Sequence, residues 1–104
     1  MTNEEIILIK VIDALRTILD VPGICVDDGG FVSALVNSND TWQIMEVCFS
    51  VEDCTLYVVR PDRRTSYVRF IWGNGNDGLD CICDHTTDLN EILAPVTEWI
   101  ESRA

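Results

Sequence analysis

The chain has 104 residues, 47% of them hydrophobic, with 18 acidic against 7 basic side chains and a formal net charge of −11. That length holds one domain, and the apolar fraction excludes a disordered acidic tail, which would lack the buried area that offsets chain entropy. The negative field excludes direct binding to nucleic acid or to an anionic membrane, and favours partners with basic surfaces.

The opening residues "MTNEEIILIK" put Glu4 and Glu5 where a signal peptide carries positive charge, and no apolar run reaches the ~18 residues of a membrane span. A cytoplasmic protein is therefore expected. Five cysteines (Cys25, Cys48, Cys54, Cys81 and Cys83) have no framework spacing and in a reducing compartment read as small buried hydrophobes.

Residues 3 to 20 are expected to be helical. Thr2 and Glu5 have capping-box spacing, "DVPG" ends the run, and Ile7, Leu8, Val11, Ile12, Leu15, Ile18 and Leu19 form one apolar stripe. Ile6 and Ile9 fall among polar neighbours. Short runs rich in β-branched and aromatic residues follow: "ICV", "FVSALV", "TWQIMEVCF", "CTLYVV", "TSYVRFIW" and "LDCICD", separated by turn residues. Loops this short predict an antiparallel meander of five or six strands. Residues 88 to 102 read as a second helix, with Leu89, Ile92, Leu93, Val96 and Ile100 in one apolar arc. Pro95 within it predicts a kink or a break into two short helices. The expected fold class is a single α+β domain spanning residues 1 to 104, with both helices on one sheet face.

"GNGNDG" has the order of a dinucleotide-binding glycine motif. A strand is expected to follow it, however, whereas pyrophosphate binding needs a helix N-terminus. A hairpin turn is the better reading, and no cofactor is expected. Cys81, Cys83 and His85 alternate along "CICDH" and could meet a metal on one side of a strand, but no CxxC pair supplies the usual spacing. With Leu79 they are expected to form a strand's apolar face, with Asp80 and Asp84 on the other. No catalytic constellation emerges, so a non-catalytic protein is expected.

Two signals remain. From Phe70 to Ser102 there are seven acids (Asp77, Asp80, Asp84, Asp88, Glu91, Glu98 and Glu101) and no lysine or arginine, while Arg60, Arg63, Arg64 and Arg69 crowd the preceding hairpin. Glu91 and Glu98 would lie about 10 Å apart along a helix, which suits a surface that meets the positive groove of a nucleic-acid-handling protein. Second, if "TWQIMEVCF" and "SYVRFIW" are both strands, both faces of the sheet are apolar. Ile6, Ile9, Trp42, Ile44, Tyr67 and Ile71 would then need cover from a homodimer partner or another protein.

Element order and charge resemble those of several groups of small acidic bacterial proteins, among them secretion chaperones, toxin-immunity proteins and phage inhibitors of host defence. The uninterrupted acid run leads to the expectation of an inhibitor that occludes a basic nucleic-acid-binding site, of the DNA-mimic, anti-restriction or anti-CRISPR type. Its alternative is a dimeric chaperone or immunity protein that holds its partner through the apolar sheet face.

Overall fold

In the computed structural model, residues 1–18, 24–27, 40–59, 64–73 and 77–104 are described. The first helix, α1 (Asn3–Arg16), starts where its capping box closes: Glu5 N donates to Thr2 Oγ1 at 3.1 Å and Thr2 N donates to Glu5 Oε1 at 3.0 Å. Two amides that the first helical turn leaves without internal partners are thereby satisfied. Ile7, Leu8, Val11, Ile12 and Leu15 are all fully buried, so this part of the stripe read from the sequence is the core face; the helix ends at Arg16, short of the expected residue 20, and Leu19 lies outside the described residues.

The sheet contains four strands among the described residues, in the order β1 (Ile24–Asp27), β2 (Asp53–Val59), β3 (Thr65–Ile71) and β4 (Ile82–His85). Strands β1, β2 and β3 form a regular antiparallel unit, and β4 joins it through three pairs with β3 across a shift in register. The meander therefore has fewer strands than the five or six expected. "FVSALV" lies outside the described residues.

The main correction concerns "TWQIMEVCF", which is a helix, α2 (Thr41–Cys48), and not a strand. Asp40 caps it, its Oδ1 accepting from Gln43 N at 3.0 Å. Ile44, Met45 and Cys48 fall on one helical face and are buried. β-branched and aromatic content suggested a strand, but a capped apolar face that docks on the core decides for a helix, because packing overrides weak propensity.

A short 3₁₀ turn (Thr87–Leu89) leads into the last helix, α3 (Asn90–Arg103). It is one helix running through Pro95 and does not split into two. Proline lacks the amide that would reach the carbonyl of Glu91, and Pro95 is on the exposed side, where water can satisfy that carbonyl.

One face of the sheet carries Val26, Cys54, Leu56, Val58, Ser66, Val68 and Phe70, none more than 1% exposed. These share a core with α1, α2 and α3, whose buried residues complete the same cluster, giving two layers. The opposite face shows Asp53, Thr55 and Tyr57 from β2 and Tyr67, Arg69 and Ile71 from β3, all partly exposed. This corrects the expected second greasy face. Once residues 41 to 48 leave the sheet as a helix, the outward positions of β2 and β3 named above are aromatic, polar and charged except for Ile71.

Candidate acidic groove

Strand β4 is set by a turn and then by a bulge. Gly73 and Gly78 both have positive φ, 75° and 73°, on either side of the turn that "GNGNDG" was expected to make; residues 74 to 76 lie outside the described set. Asp77 Oδ1 accepts from Leu79 N at 3.0 Å, and its carbonyl accepts from Asn3 Nδ2 at 2.9 Å, which ties the turn to the start of α1. Beyond it, Ile82 stands opposite Phe70 and Asp84 opposite Arg69, so Cys83 is an extra residue between two neighbouring pairs.

The bulge breaks the alternation that the sequence implied. Leu79 and Cys81 are buried in the core, but Cys83 is exposed and His85 half-buried. Cys81, Cys83 and His85 therefore do not converge on one side. No group of three or more metal-ligating side chains with the geometry to hold an ion occurs among the described residues. Burial pushes the Cys81 thiol up to about 12.

Between β4 and α3 lies a groove of about 420 Å³. Its apolar part comes from Leu79, Ile82, Leu93 and Ile100, and its polar part from Asp80, Asp84, His85 and Thr97, with the Cys83 thiol alongside. Asp84 is held in place: Oδ2 accepts from Tyr67 OH at 2.8 Å and Oδ1 from His85 N at 2.8 Å. The Asp84 carboxylate in turn raises the tyrosine pKa. The His85 ring contacts the carbonyl of Thr86 through Nδ1 at 2.8 Å. A carbonyl can only accept, so Nδ1 carries a proton, and in the neutral ring Nε2 is left as an acceptor.

The seven acids divide by role. Asp80 and Asp84 line the groove, and Glu91, Glu98 and Glu101 are exposed on α3. Helical spacing puts Glu98 and Glu101 on the flank next to Thr97, and Glu91 two turns before Glu98 on the same side. Asp88 serves the fold, its Oδ2 accepting at 2.7 Å from the hydroxyl of Ser66, a polar side chain with no exposure. Asp77 holds the turn. Of the ion pairs, Arg16–Asp13 lies on α1 and Arg69–Asp53 on the open sheet face, where Arg69 also stands opposite Asp84 in the β3–β4 register.

The six apolar interface residues expected from the sequence are dispersed. Ile44 is fully buried in the core and reaches no surface, which corrects its assignment. Ile6 and Ile9 are half-buried on α1, and Ile9 packs against the core. Trp42 is 68% exposed on α2, in the helical layer, whereas Tyr67 and Ile71 are on the open face of the sheet. The basic hairpin lies largely outside the described residues, Arg60 and Arg63 among them. Sequence reading missed the groove itself, because Leu79, Thr97 and Ile100 meet only through long-range packing. No helix among the described residues is long and apolar enough to cross a membrane. Comparison of the chain with protein-family models, curated proteins and solved structures finds no match.

Proposed function

We propose that this chain is a non-catalytic protein-binding domain whose acidic α3–β4 flank docks on the basic nucleic-acid-binding site of a partner and occludes it. One observation carries the reading: Asp80, Asp84, Glu91, Glu98 and Glu101 are all exposed, on α3 and on the segment from Asp80 through β4, which together contain no lysine and a single arginine. That arginine, Arg103, is at the far end of α3 with its guanidinium 4.9 Å from the centre of the Trp99 ring. Negative charge spread over about three turns of helix attracts a positive groove and speeds encounter with it.

The test uses the full chain, tagged, to capture its partner from the source cells, followed by a nucleic-acid-binding assay on that partner. The chain should compete with nucleic acid, and the complex should dissolve as salt approaches about 0.5 M, where the Debye length falls to ~4 Å. Replacing Glu91, Glu98 and Glu101 together by lysine should abolish capture. A complex that survives both the triple replacement and the salt rejects the reading.

A further inference from the structure

We infer that the β4–α3 groove is an anchor pocket for one long cationic side chain, arginine, projecting from the partner's basic segment. The inference rests on the acidic-flank reading above and specifies what the partner must bring to it.

The lining is what such a side chain needs. Leu79, Ile82, Leu93 and Ile100 offer apolar surface for a methylene stem, and Asp80 and Asp84 offer carboxylates for its head. Lysine and arginine bury their stems along apolar surface while keeping the charged end at a polar rim. Guanidinium has five donors and no acceptor, so it complements a rim of acceptors, and its planar fork pairs with a fixed carboxylate better than a lysine ammonium does. Asp84 is such a carboxylate, oriented by Tyr67 OH and His85 N.

Other occupants fit worse. A phosphate or an acidic peptide would meet like charge at the rim. A wholly apolar anchor would bring no charge to match Asp80 and Asp84. The volume, about 420 Å³, is near the lower end of the roughly 300–1,000 Å³ of small-ligand sites, a size for one or two side chains and not for a whole helix.

The exposed Cys83 thiol beside the groove provides the readout. An arginine nonapeptide is added to the full-length chain at about 0.01 M salt, where the Debye length is ~30 Å, and alkylation of Cys83 by iodoacetamide is followed by peptide mass spectrometry. At a peptide concentration ten times its Kd, labelling of Cys83 should slow about tenfold, since only the free fraction reacts. Thr97→Trp, on an exposed groove position, should fill the space without changing charge and weaken peptide binding about tenfold, a loss near 1.4 kcal/mol. Circular dichroism checks that the variant folds. If it does not, protection of Cys83 in the unaltered chain decides the question. Peptide binding that leaves Cys83 labelling unchanged, or that Thr97→Trp does not weaken, overturns the anchor pocket and leaves the acidic-flank reading intact. A nonapeptide that fails to bind at all overturns both.

Discussion

Arg69 on β3 grips Asp53 on β2 with two parallel hydrogen bonds, Nε to Oδ1 at 3.0 Å and Nη2 to Oδ2 at 2.6 Å, on the open face of the sheet. The arginine just before the acidic run is therefore paired with a different carboxylate, although it also stands opposite Asp84 in the β3–β4 register. The hydrogen bonds from Arg69, followed by its positive charge, hold the Asp53 carboxyl below the usual carboxylate range. A lowered native pKa means that the stabilisation is present above the unfolded value, about 3.9, and is lost as pH falls through the native one. Asp53→Asn should thus lower the urea midpoint at pH 7 and make little difference at pH 2. Equal losses at both pH values would show that the charge on Asp53 is irrelevant to the pair. Both side chains are nearly half exposed, so the effect at pH 7 should be small and should shrink further in salt.

Glycine at position 78 is required twice over. Its φ is +73°, and a methyl group there would meet Glu4 Cγ at 2.7 Å, whereas position 73, at φ +75°, has open space. Glu4 cannot simply swing aside, because its Oε2 accepts from Gly73 N at 2.8 Å. Gly73→Ala should cost about 1 kcal/mol from the backbone alone. Gly78→Ala should cost more, and combining it with Glu4→Ala should recover the excess. Equal costs for the two alanines in thermal or urea unfolding would exclude the Glu4 contact as the cause.

Phe70 is fully buried and stacks on Trp72 with ring centroids 4.9 Å apart. Phe70→Ala should destabilise the fold by about 3–5 kcal/mol, close to the whole stability of a domain this size. Trp72→Phe should cost about 1 kcal/mol, because it removes the 2.8 Å hydrogen bond from Nε1 to the Cys48 carbonyl and leaves that acceptor without this donor. Urea unfolding of both variants checks the order.

Thiol reactivity should divide the cysteines. Cys83 should alkylate in the native chain, while Cys48, Cys54 and Cys81, all buried, should react only on unfolding. The Cys48 thiol is pushed up by its hydrogen bond with Cys54 and by burial, and Cys81 is raised mainly by burial. Raised native pKa values give stability that is complete below the unfolded value, about 8.5, and declines as pH rises toward the native one. Unfolding midpoints should therefore fall between pH 8.5 and 10.5, and Cys81→Ala should flatten part of that decline. A slope identical to that of the unaltered chain would rule out Cys81 as its source.

Removing Pro95 offers a gain. The residue is on the exposed side inside α3 and contributes no amide to the helix. Pro95→Ala should raise stability by about 1–3 kcal/mol, since alanine restores the hydrogen bond to the Glu91 carbonyl. An unchanged melting temperature would mean that α3 is held by the packing of Leu93 and Val96 alone.

Some of this was legible in the sequence because the causes are local. The α1 cap is a contact between Thr2 and Glu5, three residues apart, and the core stripe follows from 3.6-residue periodicity. Positive φ at Gly73 and Gly78 is a property of the turn itself. The same local logic was available for α2, where Asp40 and Gln43 have cap spacing and Ile44, Met45 and Cys48 share a helical face, but the nine residues from Thr41 to Phe49, with Trp42, Ile44, Val47 and Phe49, also satisfy the pattern of a strand.

What the sequence determined by itself was the charge balance, the capped first helix, the α+β class and the acid-only stretch from Phe70 to Ser102, since each depends on composition or on residues within four of one another. Only the tertiary structure decided that residues 41 to 48 leave the sheet and that Cys83 is extruded while Cys81 is buried. Only it placed Asp80 and Asp84 across a groove from Thr97 and Ile100. Strand register, a bulge and the docking of a helix are fixed by contacts between distant parts of the chain, whose energies depend on partners that no local window contains.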